Sequence, residues 1–451
     1  MTKKLKISVI GAGSSTFSKL FIQNLCGTPN FESSTICFMD VNEDRLKTVV
    51  LLCRRYADEL GFKIDLHATT DRRVCIQDAD FVVDLALILG HDGYRRGWAI
   101  AKKHGYRFGG SQHIMHDEAF WINYYQLKHF DEIAEDILEL CPNAWFVMLA
   151  NPVMAATTYL ARKYKYLKFA GLCHGYAGVY DVVKILGLER EYVNLQMSGV
   201  NHYLWLTDFT YKGENAFPIL DKWISDGGAK KFWETCEASN YMGPKAIDLY
   251  KRYGVFPIGD TCHVGGGSWP FWYHNDATVE AKWKEDPTGW WEGTSGMADK
   301  WQEELDKAMA DKNAKITEVC PPQKNDDKII CFMESLAFDI PRMIYVNIPN
   351  THNYINGVPM DFEVELPAMV SKSGIQGIHP TALPKPVLAR MLRDRVAPVE
   401  VELDAYQRGS KKGLVDLIMM DPWTNSEKQA EALLEDILNM KGCEQMKQYY
   451  K

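Results

Sequence analysis

The sequence predicts an α/β chain in which an N-terminal doubly wound parallel sheet precedes a C-terminal mixed α+β lobe. Three observations carry that expectation. Apolar runs of strand length alternate with helix-period segments up to about residue 190, the pattern of βαβ units. The first run ends in a glycine-rich turn that leads straight into a helical pattern. A length of 451 residues exceeds what one ordinary core holds, so two domains are expected, 1–190 and 191–451.

The elements follow in order. Leu5 to Ile10 reads as a buried strand, and Phe17, Leu20, Phe21 and Leu25 recur at helical spacing behind the glycines. Ser34 to Met39 is a second strand ending on Asp40, and Val41 to Leu60 reads as a helix. Strands are expected at Lys63–His67, Phe81–Leu87, Ala144–Leu149 and Leu167–Leu172, with helices such as Tyr124–Leu140 and Val153–Tyr164 between them. After Leu186 the texture changes: Val193 to Tyr211 alternates like a strand pair, Gly254 to Asp260 reads as a loop, and Gly265 to Pro270 marks a break. Helical patterns at Met297–Met309, Pro386–Gln407 and Glu427–Met440 flank a strand-like stretch from Met343 to Val370.

Composition removes several function classes. With 46% apolar and 24% charged residues the chain has the makeup of a folded protein. A net charge of -8 offers no electrostatic footprint for nucleic acid or an anionic membrane. Leu5 to Ile10 is too short for a signal peptide's apolar core, and no run of about 18 apolar residues occurs to span a bilayer. The 11 cysteines are scattered without a C-x-x-C pair, which fits reduced thiols in the cytoplasm better than a disulfide framework or a zinc ribbon.

Gly11-Ala12-Gly13-Ser14-Ser15-Thr16 is a G-x-G-x-x-G turn with Thr16 in place of the third glycine. Gly11, Ala12, Gly13 and Ser14 would let a pyrophosphate approach the helix N-terminus, the Rossmann-like arrangement, and Asp40 closing the second strand would accept hydrogen bonds from an adenosine ribose. An acid there favours NAD over NADP. Asn151 in Asn151-Pro152 follows a strand at the edge where such sheets bind ligands, positioned for a substrate hydroxyl or the nicotinamide carboxamide, although Asn-Pro is also an ordinary turn.

Cys173 leaves a strand's carboxyl end on that same edge, and His202 follows 29 residues later in Gly199-Val200-Asn201-His202. In isolation the first is a small core thiol and the second a turn residue. Together a thiolate and an imidazole can hold a divalent metal and leave coordination positions open for substrate. His174 offers an acid or a substrate hydrogen-bonder. Asp117, in the polar run His113-Ile114-Met115-His116-Asp117-Glu118, and Asp260 are candidate acid and base, against the alternative of solvated loop carboxylates.

These residues resemble glycoside hydrolase family 4, the NAD- and divalent-metal-dependent glycosidases. The resemblance runs through Gly11-Ala12-Gly13-Ser14, Ala150-Asn151-Pro152, Cys173-His174-Gly175, Gly199-Val200-Asn201-His202, Pro257-Ile258-Gly259-Asp260-Thr261, Asn347-Ile348-Pro349-Asn350 and Glu365-Leu366-Pro367-Ala368. It implies a lactate/malate dehydrogenase-like fold and a mechanism outside the two-carboxylate scheme of most glycosidases. NAD⁺ would take hydride from carbon 3 of a sugar, and Mn²⁺ or another divalent ion on Cys173 and His202 would stabilise the enediolate formed when the carbon-2 proton leaves. The aglycone then departs by elimination, water adds and the hydride returns. The resemblance assigns Asp260 as the base, Asp117 or His174 as the acid, and Asn151, His174 and Asn201 to the substrate.

His174 in place of asparagine or aspartate implies a non-phosphorylated sugar and an α-linkage, and Gly175 resembles the α-glucosidase and α-glucuronidase branch. The expected partner is therefore an α-glycoside, an α-glucoside first, within a homo-oligomer, dimer or tetramer. The Cys262-Gly267 extension leaves α-glucuronide, α-galactoside and α-galacturonide as alternatives. A lactate/malate-type dehydrogenase would need no metal and leave Cys173 unused, and a nucleotide sensor without chemistry would have no call on Cys173, His202, Asp117 and Asp260 together.

Overall fold

The first six strands form the parallel half, where apolar side chains on both faces mark the central strands as covered and the edge strand is largely exposed. They are β1 (Lys6–Ile10), β2 (Thr35–Met39), β3 (Asp65–Thr69), β4 (Phe81–Asp84), β5 (Trp145–Met148) and β6 (Lys168–Gly171), all parallel and ordered β3-β2-β1-β4-β5-β6. That order reverses between β1 and β4, which opens a crevice at the carboxyl ends of those two strands. The computed structural model describes residues 4–235, 242–262, 271–311, 315–322 and 327–451. Gly265–Pro270, expected as a break, and all of the Cys262–Gly267 extension except Cys262 lie outside them.

Helices cover the parallel strands, Ser15–Cys26 against Glu43–Glu59 and Phe120–Leu140 against Val153–Lys163. The second helix starts two residues later than Val41 because Asn42 is its N-cap, with Oδ1 accepting from Arg45 N at 3.0 Å. The strand expected to reach Leu87 stops at Asp84, after which the chain turns into Gly90–Lys103, a helix whose pattern the sequence reading passed over.

The sheet does not end at residue 190. It continues as β7 (Val193–Val200), β8 (Tyr203–Tyr211), the short β9 (Glu214–Asn215), β10 (Phe256–Ile258), β11 (Arg342–Pro349), β12 (Glu363–Ser371) and β13 (Gly374–Gly377). Among the described residues all thirteen strands share one sheet, β10-β8-β7-β12-β11-β6 leading into the parallel half, with β13 beside β12 and β9 beside β8. A second apolar cluster, including Val179, Val183, Met197, Leu206 and Phe256, sits beneath this antiparallel half.

Three expectations change in this half. Gly254–Asp260, read as a loop, contains β10, and Pro257 is tolerated because among the described residues β10 is the outermost strand on its side, paired with β8 alone. Met343–Val370 is not one strand-like stretch but the antiparallel pair β11 and β12 around a connecting segment. The Pro386–Gln407 helix is broken into Lys385–Met391, a π-helical turn Leu392–Val396, and Ala397–Arg408. Pro398 has no N–H for the carbonyl four residues back, and the wider turn just before it absorbs the mismatch.

The helix Gly90–Lys103 approaches Trp121 closely: a Cβ on Gly97 would lie 2.2 Å from the fully buried indole. Gly97→Ala is expected to destabilise the protein by about 1–3 kcal/mol through overpacking. Gly293→Ala, in the helix Pro287–Ala310 with nothing among the described residues within 4 Å of the new methyl, should instead be neutral or stabilising by up to about 1 kcal/mol. Urea denaturation of both variants checks the pair; equal midpoints would overturn the packing argument.

Candidate active site

The glycine turn lies at the switch point of the sheet. Gly11 has φ +78°, and a Cβ there would sit 2.5 Å from the backbone of Ala86, just past β4. The amides of Gly11 and Ala12 donate to Met39 O at 2.9 and 3.0 Å, and Gly13 N donates to Asp40 Oδ2 at 2.8 Å. Asp40 Oδ1 accepts from Asn42 N at 2.9 Å. Asp40 therefore holds the turn together from the end of β2. Its half-buried carboxylate retains lone pairs for a ligand hydroxyl, and Ser14 stands at the N-cap of the helix Ser15–Cys26. A side chain on Gly13 would strike that carboxylate at 2.6 Å, so glycine is required there for packing as well as for access.

A second site forms where three distant segments converge. One row of paired residues crosses the antiparallel half: Gly171 on β6 faces Asn347, Asn347 faces Glu365, Glu365 faces Gly199, Gly199 faces Leu204, and Leu204 faces Ile258. Cys173, His202 and Asp260 each follow this row within three residues of a strand end. The turns after β6 and β10 touch directly. Gly259, at φ +60°, leaves room that a Cβ would close, 2.5 Å from Gly175 O.

The sulfur of Cys173, a ring nitrogen of His202 and a carboxylate oxygen of Asp260 all lie within 4.8 Å of one another. His202 Nε2 is 3.3 Å from Asp260 Oδ2. His202 is almost fully buried, whereas Cys173 and Asp260 are half-buried, so the cluster is walled on the imidazole side and open on the other. His202 occupies the second position of the two-residue β7–β8 turn with φ +60°, a left-handed backbone that costs a non-glycine residue about 1 kcal/mol or more. Thiolate, imidazole and carboxylate from three segments suit a divalent cation with open positions.

Charged groups crowd the far side of the imidazole. Glu118, fully buried, lies with Oε1 at 2.9 Å from His202 Nδ1 and 3.5 Å from Arg395 Nη2. Burial opposes its ionisation, but the Arg395 guanidinium and His202 outweigh that and hold the carboxyl at about 2. Burial likewise opposes a charged His202, and Asp260, Cys173 and Glu118 together raise its proton affinity well above the ordinary imidazole value. A cluster that stabilises positive charge on its central ring is equally suited to a bound cation. Glu365, pushed up by burial against the opposing pull of Lys328 and His202, and Glu363, pushed up by burial and by Glu365, lie behind it.

The remaining expected residues divide. Asp117 and Asn151 meet, Asn151 Nδ2 donating to Asp117 Oδ2 at 2.6 Å, and Asp117 also pairs with His116. Despite burial, His116, His202 and Asn151 hold the Asp117 carboxyl well below the usual range. A carboxylate oxygen of Asp117 falls within 4.8 Å of the His202 and Glu118 donors, so this group adjoins the cluster. His174 stands apart from the imidazole: its side chain is 57% exposed, with Nε2 3.8 Å from Asp327. Asn201, expected to touch substrate, is fully buried, with its N–H on Glu363 at 3.2 Å, Nδ2 on Glu365 at 3.3 Å, and its carbonyl accepting from Arg395 at 3.0 Å. It braces the turn from within, because the β7–β8 hairpin points its side chain at β12.

Sequence reasoning missed Glu118, Lys328 and Arg395. Lys328 is buried, donates from Nζ to Cys173 O at 2.9 Å and lies 4.5 Å over the Tyr176 ring. A charged residue in an apolar run was the available signal, as in Lys328-Ile329-Ile330, but nothing local says which partner buries it. Among the described residues no helix is long and apolar enough to cross a membrane.

The profile described as family 4 glycosyl hydrolase matches residues 6–188, and that of the same family's C-terminal domain matches 197–424. A probable 6-phospho-beta-glucosidase of Bacillus subtilis (strain 168) is 28% identical over 454 residues, covering 97% of this chain and 96% of the relative. An alpha-galactosidase of the same organism is 23% identical over 439 residues, with 96% of each covered. Other relatives are an alpha-glucosidase of Erwinia rhapontici and an alpha-galacturonidase of Lachnoclostridium phytofermentans. The crystal structure of a 6-phospho-alpha-glucosidase from gut microorganisms, in complex with NAD and Mn2+, superposes with a TM-score of 0.78 at 17% identity over 97% of this chain and 98% of the other. With the two profiles together spanning most of its length, the chain belongs to the family 4 glycosyl hydrolases.

Proposed function

We propose that this glycosidase hydrolyses non-phosphorylated α-glycosides, an α-glucoside first, with NAD⁺ in the β1–β4 crevice and a divalent ion, Mn²⁺ or a similar metal, on Cys173 and His202. The observation that carries the reading is the approach of Asp260 to that thiol–imidazole pair, which sets a carboxylate base beside a Lewis-acid site. A relative in fold binds NAD and Mn2+, which supports the same pair of cofactors here. In this reading residues 1–190 hold the nucleotide, residues 191–451 hold most of the substrate, and the site lies at their junction, with Cys173 from the first and His202 and Asp260 from the second.

The cofactors would supply reversible hydride removal at carbon 3 and polarisation of the sugar oxygens on carbons 2 and 3. The chain's own residues do the rest. Asp260 takes the carbon-2 proton made acidic by the neighbouring ketone. The exposed His174 donates a proton to the departing glycosidic oxygen as the carbon 1–oxygen bond breaks, while Asp117, held well below the usual carboxyl range by His116, His202 and Asn151 despite burial, stays a carboxylate. Water then adds its hydroxyl to carbon 1 and gives its other proton back to His174, while Asp260 returns its proton to carbon 2. Asn151 orients the sugar beside the nicotinamide, and Asn201 acts on substrate through the turn it braces.

Two features favour an unphosphorylated sugar although some relatives are 6-phospho-glycosidases. His174 follows the cysteine in Cys173-His174-Gly175, and the family resemblance of that motif implies a non-phosphorylated sugar. Two buried cations next to the cluster, Lys328 and Arg395, are tied to Cys173 O and to Asn201 O and Glu118. The α-glucuronide, α-galactoside and α-galacturonide readings share the same mechanism and differ in the sugar alone.

Protein supplied with NAD⁺, Mn²⁺ and a reductant should release the phenol from an aryl α-glucoside faster than from the α-galactoside, α-glucuronide, α-galacturonide or 6-phospho-glucoside. Preference for the phosphorylated sugar would overturn the assignment. Cys173→Ala or removal of metal by a chelator should lower kcat/KM about a thousandfold or more, the several kcal/mol a Lewis acid supplies. Deuterium at carbon 2 should slow turnover or exchange into solvent; retention at full rate would exclude proton abstraction by Asp260. Gly259→Ala, whose methyl would strike Gly175 O, should lower kcat by about tenfold or more by shifting Asp260, read against an unchanged affinity for NAD⁺.

A further inference from the structure

We infer that Glu118 is a positioning residue for the metal site: its carboxylate fixes the tautomer and orientation of His202 so that Nε2 faces Cys173 and Asp260. The inference rests on the proposal that Cys173 and His202 hold a divalent ion. The observation is a carboxylate oxygen beside each nitrogen of the His202 ring. Nε2 lies 3.3 Å from Asp260 Oδ2 on the open side, and Nδ1 lies 2.9 Å from Glu118 Oε1 on the closed side. A neutral imidazole carries one proton, and an acceptor at Nδ1 keeps it there and leaves the Nε2 lone pair for a metal.

Glu118 is itself held. It is fully buried, its carbonyl accepts from Asn123 Nδ2 at 2.9 Å, and its carboxylate faces Arg395, which is 1% exposed. Arg395 sits in the π-helical turn Leu392–Val396 and reaches back to Asn201 O at 3.0 Å, the residue preceding His202. Arg395 and Glu118 thus grip the β7–β8 turn from the backbone and from the ring at once. The left-handed backbone of His202, unfavourable for a histidine in isolation, is held by these two contacts.

The test measures Mn²⁺ binding directly, by the electron paramagnetic resonance signal of free Mn²⁺, on full-length wild type, Glu118→Gln, Glu118→Ala and Cys173→Ala. The expected result is a Kd for Mn²⁺ raised about 10–100-fold in both Glu118 variants, with unchanged affinity for NAD⁺. The Co²⁺-substituted proteins should show an altered ligand-field spectrum in Glu118→Gln. A merely structural role would lower Tm without moving the metal affinity of the folded protein. If Glu118→Ala does not fold, the near-isosteric Glu118→Gln decides. Wild-type Mn²⁺ affinity and an unaltered Co²⁺ spectrum in Glu118→Gln would overturn the positioning role and leave the metal site standing. A wild type that binds no Mn²⁺, or Cys173→Ala binding it as tightly as wild type, would overturn the metal site itself.

Discussion

The imidazole of His202 is the point on which the site depends. It is buried between two carboxylates on opposite nitrogens, Asp260 at Nε2 and Glu118 at Nδ1, with the Cys173 sulfur within 4.8 Å on the open side. Each contact comes from a different part of the chain: the turn after β6, the loop before Phe120–Leu140, and the turn after β10. An uncompensated buried carboxylate is costly, so Glu118 and His202 require each other and require Arg395 behind them. The crowding of negative charge around the ring raises its proton affinity against the cost of burial.

The sheet makes that convergence a consequence of register. Gly171, Asn347, Glu365, Gly199, Leu204 and Ile258 form one row of partners across six strands. Cys173, His202 and Asp260 emerge just past it. At two steps, β6 to β11 and β12 to β7, a single paired residue joins neighbours, and both pairs belong to this row. Small residues occur where this brings backbones together: Gly175 and Gly259 are in near contact, and a Cβ on Gly199 would lie 1.9 Å from Tyr203 O.

The glycine turn at the β1–β4 crevice and the Cys173–His202–Asp260 cluster are separate features of the sheet edge, and two devices hold them in place. Asp40 ties the glycine turn to the end of β2 through Gly13 N and Asn42 N. Asn151, at the end of β5, ties the parallel half to the second group through Asp117. A family 4 glycosyl hydrolase is thus built with its glycine turn in the parallel half and the donor groups of the cluster split between the two halves, with Cys173 and Asp117 from one and His202 and Asp260 from the other.

The parallel half was legible in the sequence because its determinants are local. Apolar strands, helix periods, the Gly11–Gly13 turn and Asp40 each act within a few residues, so their order along the chain predicts their order in space. Cys173, His202 and Asp260 were legible through spaced motifs, though nothing in those motifs states that their donor atoms meet. The β10 strand at Pro257 and the split Pro386–Gln407 helix escaped, since one depends on which strand lies at the edge and the other on how Pro398 is relieved. Glu118, Lys328 and Arg395 escaped for a deeper reason. A charged residue reads as a surface residue until its partner is known, and these partners lie from 84 to 277 residues away in the chain, as with Glu118 to His202 and Glu118 to Arg395. The sequence by itself determined the glycine turn, the motifs that carry Cys173, His202 and Asp260, and the α/β order; only the tertiary structure decided which buried charges compensate one another, because that energy exists only once distant segments share one interior.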